Sequence, residues 1–321
     1  MRKGQKSKAK EVKVFASATI ANLSCGFDIL GLALENPGDI VTVRVVENPG
    51  VVIKKIIGDH NRLPSDPQKN TAGVAVIEYL NHLNLKEGVE IEIEKNLPLG
   101  SGMGSSGASA VAALWGINSL MGNKLTLREM LPFAMEAERV ACGSAHADNV
   151  APALFGGLVL IRSYDPLDIV KLPFPENIYV VLIHPHIEIK TEEARKILPE
   201  EILLKKAVAQ WGNIGGFIAG VYTRDYDLIK RSMVDLIVEP VRGKLIPYFF
   251  EAKSIAEKNG AIGCGISGSG PSIFAFCPDQ KTAASLSKIL KSFYDEKSIG
   301  NEVYISKTNN KGPKIIREKI R

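Results

Sequence analysis

Residues 98–108 read Pro98-Leu-Gly-Ser-Gly-Met-Gly-Ser-Ser-Gly-Ala108 and form the most informative stretch of the chain. Just before them, residues 89–94 (VEIEIE) alternate apolar and acidic side chains, which predicts a strand with one buried face. Just after them, the Ala-rich residues 108–122 predict a helix that ends at Gly122. Glycines let backbone N–H groups point at one anion, and a helix N-terminus adds free N–H donors. The stretch therefore predicts a phosphate-binding loop, here called the glycine loop.

Several known phosphate-binding motifs do not fit the glycine loop. It contains no Gly-Lys-[Ser/Thr], which excludes a P-loop, and the chain has no HRD or DFG, which excludes a protein kinase. Read literally, Gly102-x-Gly104-x-x-Gly107 matches the dinucleotide fingerprint. That fold also needs an acidic residue at the end of a second strand, whereas the residues around Glu129 predict a helix. A nicotinamide-dependent oxidoreductase stays an alternative.

The composition of the chain is that of an ordinary globular protein. Its 321 residues are 45% hydrophobic and 23% charged, and this length predicts about two domains. No apolar run reaches about 18 residues, and no long apolar segment follows the basic start, so we expect neither a membrane span nor a secretory signal. Four cysteines without a CxxC pair predict reduced thiols and a cytoplasmic location.

The net charge of +5 is concentrated at the two ends of the chain. Residues 1–13 and 307–321 each carry six Lys/Arg and one Glu, so the body between them has a net charge of −5. An acidic body does not offer the basic face that nucleic acid requires, so we expect no nucleic-acid partner. We expect residues 1–12 to be a disordered basic tail and residues 307–321 to be a second, solvated basic tail.

The remaining patterns predict two α+β domains, at 13–165 and 166–306. Thr126-x-x-Glu129 is a capping box, which predicts a helix through about Val140. Residues 263–271 predict a glycine-rich turn. The other predicted strands are 11–15, 40–46, 51–57, 178–184, 272–277 and 302–306, and the other predicted helices are 71–83, 191–198, 201–222, 225–236, 246–259 and 281–294.

The glycine loop resembles the central motif of the GHMP kinases, whose usual form is P-x-x-x-G-L-G-S-S-A. Met103 replaces the common Leu, and Gly107 stands where Ala is usual. Residues 18–23 (ATIANL) and 263–271 (GCGISGSGP) resemble two further motifs of that family, so the resemblance covers nearly the whole chain. It implies a two-domain fold, with an N-terminal domain like domain 2 of ribosomal protein S5 and a C-terminal ferredoxin-like domain. It also implies ATP as phosphate donor, bound by Pro98, Leu99, Gly100, Ser101, Gly102, Met103, Gly104, Ser105, Ser106, Gly107, Ala108 and Asn70.

Three stretches are similar to the family members that phosphorylate L-homoserine: residues 17–28, 146–152 and 239–247. Homoserine is a zwitterion, so its site needs a clamp for the carboxylate and an acceptor for the ammonium group. The resemblance implies that Arg195 and Arg242 grip the carboxylate. It also implies that Asp28 takes the ammonium group and that Asn22 or Asn149 bonds the polar ends. Another small-alcohol kinase of the family, such as mevalonate kinase, and a relative that binds ATP without turnover are the alternatives.

The resemblance also implies a magnesium site and a catalytic carboxylate. Ser106 and Glu138 match the residues that carry Mg²⁺ in relatives, and a surface carboxylate is the alternative interpretation of Glu138. Asp148 matches a residue that acts as general base in some relatives, and in this chain it either takes the proton of the alcohol or only orients the hydroxyl. The sequence does not give the oligomeric state, and a homodimer is the candidate assembly.

Overall fold

The structure is a computed structural model that describes residues 9–189 and 191–320. Its strands form two separate sheets. The first sheet contains β1 (Ala9–Ala21), β2 (Leu30–Val46), β3 (Gly50–Ile57), β4 (Gly88–Glu94), β5 (Leu158–Tyr164), β6 (Leu167–Leu172) and β11 (Lys314–Ile320). The second contains β7 (Tyr179–Pro185), β8 (Gly263–Ile266), β9 (Ile273–Cys277) and β10 (Asn301–Ser306).

The described residues also form ten α-helices and one short 3₁₀ turn, at Gly243–Leu245. The helices are α1 (Thr71–His82), α2 (Ser105–Leu120), α3 (Leu127–Cys142), α4 (Ala147–Phe155), α5 (Thr191–Lys196), α6 (Leu204–Thr223), α7 (Tyr226–Ser232), α8 (Glu239–Arg242), α9 (Phe249–Lys258) and α10 (Gln280–Glu296).

The first sheet has the order β11-β1-β2-β4-β3, and β2 also pairs with β5, which pairs with β6. Only β3 and β4 are parallel; the other pairs are antiparallel. Helices α2 and α4 pack on β1 and β2, and α1 and α3 pack on α2. Helix α2 approaches the sheet closely because its buried residues are small: a Cβ at Gly116 would lie 2.7 Å from Val43 Cγ2. This close approach explains why α2 is rich in alanine.

The second sheet is antiparallel throughout, with the order β10-β7-β9-β8. Helices α9 and α10 pack against it and enclose a core that includes Val181, Ile183, Ala275 and Leu286. The other side of this sheet presents Phe274 and Phe276, which belong to the same core as the first sheet. The two halves of the molecule therefore share apolar packing as well as a cleft.

The C-terminal segment differs from the solvated tail that the charge pattern suggested. Residues 314–320 form β11, which pairs antiparallel with β1 at the edge of the first sheet. Lys319 Nζ lies 2.8 Å from Glu11 Oε1, so part of the basic charge is neutralised across the two strands. The expectation of a tail over residues 1–12 also fails from Ala9 onward, because β1 begins there. Residues 1–8 lie outside the described residues.

Three other predictions need correction. Strand β6 continues the first sheet to Leu172, past the predicted boundary at residue 165. Residues 263–266 are a strand, β8, rather than part of a turn. Strand β2 begins at Leu30, ten residues earlier than the sequence suggested, because its first part pairs with β1 and β5.

The local signals were more reliable. The capping box is present: Thr126 N donates to Glu129 Oε2 at 2.8 Å, and Glu129 N donates to Thr126 Oγ1 at 3.4 Å. The cysteines Cys25, Cys264 and Cys277 are free and buried, and burial raises the pKa of Cys25 and Cys277 to about 12. In the described part of the chain, no helix combines the length and apolar character needed to cross a bilayer.

Candidate active site

A cleft of about 440 Å³ lies where the glycine loop and the N-terminal ends of α2 and α4 meet the loop after β8. Most of the predicted site residues line this cleft: Asn22, Asp28, Asn70, Leu99, Gly100, Ser101, Gly102, Gly104, Ser105, Ser106, Glu138, Asp148, Asn149, Arg195 and Arg242. Pro98, Met103, Gly107 and Ala108 do not line it, and Met103 and Ala108 are fully buried in the core.

The glycine loop takes a backbone shape that only glycine adopts easily. Gly100, Gly102 and Gly104 have φ angles of 65°, 75° and 69°, in the left-handed region. A Cβ at Gly102 would collide with the carbonyl oxygen of Ser267, and one at Gly104 would collide with Thr19 Oγ1. The glycines are therefore required both by conformation and by close packing.

The other two sequence motifs, at residues 18–23 and 263–271, both contact the glycine loop. From the first motif, Thr19 N donates to Met103 O at 3.0 Å. From the third, Ser267 Oγ donates to Gly102 O at 2.8 Å. These bonds hold the loop from both halves of the molecule. Helix α2 then begins at Ser105 with no side chain capping its first turn, which leaves backbone N–H groups available to an anion.

A buried ion pair supports the start of α2, and our sequence reasoning missed it. Lys95 Nζ contacts the Asp39 carboxylate and donates to Ser105 O at 2.8 Å and Ser109 Oγ at 2.9 Å. Asp39 is completely buried and also accepts from the backbone N–H of Leu97. The available signal was a lysine directly after the clearest strand, since a lysine at the end of a buried strand needs a partner.

Glu138 is buried on α3 beside the glycine loop rather than exposed on the surface. Burial raises the pKa of the Glu138 carboxyl group, and the neighbouring Ser106 side chain partly opposes this rise. Its Oε1 atom is buried without any hydrogen-bond partner in the described structure. A buried carboxylate oxygen without a partner, next to a hydroxyl, suits a hard divalent cation such as Mg²⁺, which takes few ligands from protein.

Asp148 lies in the first turn of α4, where it is buried and lines the cleft. Burial raises its pKa to about 7, and the negative charges of Asp28 and Glu138 add to this effect. The Asp148 carboxyl group therefore titrates near neutral pH rather than in the acidic range of a free aspartate. Such a carboxyl group can either accept a proton or donate a hydrogen bond to an alcohol.

Charged side chains from distant parts of the chain meet at one end of the cleft. Arg195 donates from both terminal nitrogens to the carboxylate of Asp28, at 3.0 and 2.9 Å. Arg242 is buried and donates to the carbonyl oxygens of Ala194 and Gly268, at 3.1 Å each. Both guanidinium carbons lie 5.4 Å from the centre of the Phe27 ring, a cation–π distance. Burial lowers the pKa of Arg242 to about 10, so it remains a cation at neutral pH.

The three predicted asparagines differ in how much of each side chain is already used. Asn22 accepts from Asp28 N at 3.0 Å and donates to Gly268 O at 2.9 Å. Asn70 caps α1, accepting from Ala72 N and donating to Pro64 O. Asn149 accepts from Thr19 Oγ1 at 2.7 Å, and its amide nitrogen has no partner among the described residues. Of the three, Asn149 has the most hydrogen-bonding capacity left for a ligand.

Two more residues shape this end of the cleft and were not among the predicted set. The Tyr164 hydroxyl donates to Asp28 O at 2.9 Å and accepts from Ala147 N at 3.3 Å, so it joins Asp28 to the start of α4. His146 Nδ1 lies 3.9 Å from Asp28 Oδ2, and burial lowers the pKa of the imidazole. His146 belongs to residues 146–152, which resemble relatives in sequence, whereas no sequence signal pointed to Tyr164.

Comparisons with known proteins identify the family of this chain. The model for the GHMP kinases N terminal domain matches residues 70–157, and the model for the GHMP kinases C terminal region matches residues 217–296. Homoserine kinase from Chlorobium phaeobacteroides (strain BS1) is 48% identical over 96% of this chain and 100% of its own length. Homoserine kinase from Xylella fastidiosa (strain M12) is 35% identical over 96% of this chain and 95% of its own length.

Solved structures show the same relationship. A crystal structure of homoserine kinase from Cytophaga hutchinsonii superposes with a TM-score of 0.95 at 54% identity, covering 98% of this chain and 99% of the other. A mevalonate kinase from L. major has a TM-score of 0.73 at 15% identity, which shows a shared fold. The chain belongs to the GHMP kinase family, and the predicted two-domain α+β fold is confirmed. The relatives of highest identity named here are homoserine kinases.

Proposed function

We propose that the protein transfers the γ-phosphate of ATP to the side-chain hydroxyl of L-homoserine, giving O-phospho-L-homoserine for threonine biosynthesis. The observation that carries this proposal is the meeting of Asp28, Arg195 and Arg242 next to Asp148, at the end of a cleft that the glycine loop lines. The two cations, Arg195 and Arg242, match the carboxylate of a zwitterionic amino acid, and the anion Asp28 matches its ammonium group. The carboxyl group of Asp148 matches a side-chain alcohol. The 48% identity to a homoserine kinase supports the same substrate.

In this proposal, the glycine loop and the first turn of α2 bind the ATP phosphates through backbone N–H groups. The nucleoside extends toward the loop at residues 58–70, where Asn70 lines the cleft. Because both ends of the Asn70 amide already stabilise the start of α1, we assign it a role in shaping the adenine pocket.

Ser106 and Glu138 would hold Mg²⁺, since the unpartnered Glu138 Oε1 lies in the buried region beside the loop. The metal would neutralise negative charge on the phosphate groups of ATP. Asn149, with its free amide nitrogen, would bond the substrate from the side of α4.

The role we assign to Asp148 is to orient the substrate hydroxyl toward the phosphate. Phosphoryl transfer through a loose transition state depends mostly on position and charge, so it needs little early deprotonation of the alcohol. A carboxyl group with a pKa of about 7 can hold the hydroxyl by a hydrogen bond in either protonation state. Asp28 and Arg195 would fix the amino and carboxylate groups and so aim the hydroxyl.

A substrate screen tests the proposal. A coupled assay measures ADP release with L-homoserine, mevalonate and galactose in parallel. We expect turnover with homoserine and background rates with the other two, because mevalonate has no ammonium group to pair with Asp28. Faster turnover of mevalonate would instead indicate another small-alcohol kinase, and ATP binding without turnover of any alcohol would indicate a non-catalytic relative.

The Arg242→Lys variant tests the substrate clamp. Lysine keeps the charge but loses the planar fork, so KM for homoserine should rise while KM for ATP stays nearly constant. Arg162→Lys is a matched control, because Arg162 forms an exposed ion pair with Asp168 that does not line the cleft. Equal rises in KM for homoserine and in KM for ATP would show that Arg242 does not bind the amino acid.

A further inference from the structure

Gln210 is a buried polar side chain on α6 that does not line the cleft. It is only 6% exposed, although a buried position in a helix usually holds an apolar side chain. Its amide nitrogen donates to Cys25 O at 2.8 Å, and its amide oxygen accepts from Leu236 N at 2.9 Å. Both partners lie in loops, outside the helices and strands. Gln210 therefore joins two loops that are distant in the sequence.

The first of these loops runs from Asn22 to Asp28 and is called the Asp28 loop. Asn22, Leu23 and Ser24 have φ angles of 73°, 45° and 63°, in the left-handed region that residues other than glycine rarely adopt. A run of such residues persists only where the surrounding structure holds it. The hydrogen bond to Cys25 O therefore holds this loop between its strained turn and Asp28.

The second loop, residues 233–238, leads directly into α8 and is called the Arg242 loop, because α8 ends at Arg242. Asp235 Oδ2 accepts from Glu239 N, the first backbone N–H of α8, at 2.9 Å. Leu236 follows Asp235 directly, so its N–H lies in the turn that begins the helix. A shift of this loop would therefore move α8 and the guanidinium group of Arg242 with it.

The two loops also contact each other without Gln210. Phe27 of the Asp28 loop lies with its ring centre 5.4 Å from the guanidinium carbon of Arg242. Ser24 Oγ donates to Met233 O at 3.1 Å, and this bond is buried. Gln210 and Ser24 thus cross-link the same two loops, and neither side chain lines the cleft.

We propose that Gln210 is a positioning residue for the amino-acid substrate. By bonding both loops, it fixes the separation between the anion Asp28 and the cation Arg242 without touching the substrate itself. A zwitterion needs both charges at a matching distance, and a displacement of about 1 Å can cost about 100-fold in rate. The glycine loop binds the nucleotide elsewhere in the cleft, so ATP binding should not depend on Gln210. This inference deepens the proposed function and rests on it for the identity of the substrate.

Gln210→Met removes the cross-link and keeps the length and unbranched shape of the side chain. We expect KM for homoserine to rise at least about 10-fold. KM for ATP should change less than about twofold, because only one of the two substrates loses its preorganised site. Steady-state kinetics with each substrate varied in turn measures both values. A merely structural role would not raise KM for homoserine selectively.

Asn213→Ala is the matched control on the same helix. Asn213 Nδ2 donates to Val234 O at 2.8 Å, so this side chain bonds the Arg242 loop but not the Asp28 loop. We expect both KM values of this variant to stay within about twofold of the wild type. Circular dichroism checks that each variant folds. If Gln210→Met does not fold, Gln210→Asn carries the kinetic test, because it is one methylene shorter and cannot reach both backbone partners.

Hydrogen–deuterium exchange of the substrate-free enzyme tests the cross-link without any reaction. Gln210→Met should speed amide exchange in peptides that cover both the Asp28 loop and the Arg242 loop, because each loses a bond that restrains it. Asn213→Ala should speed exchange in the Arg242 loop alone.

Three results with Gln210→Met would overturn the inference: an unchanged KM for homoserine, equal rises in KM for both substrates, or faster exchange in fewer than both loops. Absence of homoserine turnover in the wild type would instead refute the proposed function. The exchange rates alone would then decide whether Gln210 holds the two loops together.

Discussion

Arg195 and Asp28 form a bidentate ion pair across the cleft, with both nitrogen–oxygen distances at or below 3.0 Å. The two groups that we assign to opposite ends of a zwitterion therefore neutralise each other when no substrate is bound. In the proposed function, a homoserine molecule would insert its carboxylate toward Arg195 and its ammonium group toward Asp28. A ligand with only one charge would break the pair and leave one partner uncompensated, which is costly in a partly buried site. The pair thus favours ligands that carry both charges.

Asp28→Asn should weaken homoserine binding. The neutral side chain cannot pair with an ammonium group, so we expect KM for homoserine to rise about 10- to 100-fold, the equivalent of about 1.4–2.8 kcal/mol. KM for ATP should change less than about twofold. Steady-state kinetics with each substrate varied in turn measures both. Asp168→Asn removes half of the exposed Arg162 pair and serves as the control. A larger effect on ATP than on homoserine would contradict the assignment.

Glu138→Gln should remove one anionic oxygen from the proposed metal site. We expect a higher Mg²⁺ concentration for half-maximal rate and a lower kcat. Titration of the rate with Mg²⁺ at saturating ATP and homoserine checks both. Glu136→Gln lies on the same helix but belongs to an exposed pair with Arg139, so its Mg²⁺ dependence should match the wild type. If Glu138→Gln also matches the wild type, Glu138 is not a metal ligand.

Asp148→Asn distinguishes orientation of the hydroxyl from proton abstraction. Asparagine keeps the shape and one hydrogen-bonding oxygen but cannot take a proton at neutral pH. If Asp148 orients the alcohol, kcat should fall about 10-fold, which corresponds to about 1.4 kcal/mol of lost transition-state stabilisation. A general base typically contributes about 10²–10⁴-fold. A loss beyond about 10³-fold, in a folded variant that binds both substrates, would establish Asp148 as the base.

The raised pKa of Asp148 also predicts how stability depends on pH. The ordinary value is 3.8, and burial raises the pKa to about 7 in the folded protein. Between these values the folded state holds a proton that the unfolded state has released, so this residue's contribution falls as pH rises. Asp148→Asn removes the free-energy cost of ionising this buried carboxyl group. Its free energy of unfolding relative to wild type should be higher at pH 8 than at pH 5, by more than about 1 kcal/mol. Urea denaturation at both pH values measures this, and a pH-independent difference would contradict it.

Asp39→Ala should destabilise the fold strongly. It would leave Lys95 buried without its anionic partner, and loss of one member of a buried pair costs about 3–5 kcal/mol. Asp168→Ala breaks an exposed pair and should cost at most about 1 kcal/mol. Urea denaturation compares the two variants. Similar losses of stability in the two variants would show that the buried pair contributes no more to the free energy of unfolding than the exposed pair.

Local patterns in the sequence predicted the elements around the glycine loop. The alternation at 89–94 and the capping box at Thr126 and Glu129 depend on neighbouring residues only, and both are present. Strand β11 could not be predicted this way. Four of its seven residues are charged, and it is a strand because the edge of β1 supplies backbone partners about three hundred residues earlier in the chain.

The candidate site also combines features that the sequence predicted with features that only the fold determines. The resemblance named Asp28 and Arg195, but their ion pair joins positions 167 residues apart and follows from the fold alone. Nothing in the sequence linked Tyr164 to Asp28, because the bond is to a backbone oxygen. Chemical type can be inferred from motifs, whereas mutual distance depends on how the two sheets pack together.

The pairing of β11 with β1 has a consequence for synthesis on the ribosome. Strand β1 is among the first segments to leave the exit tunnel, yet its outer neighbour follows only after all four strands of the second sheet. Until then one edge of β1 has unsatisfied backbone groups, which can pair with the edge of another nascent chain. The first sheet therefore remains incomplete until residues 314–320 emerge. A message truncated ahead of them would yield a protein whose β1 edge is free to pair with another chain.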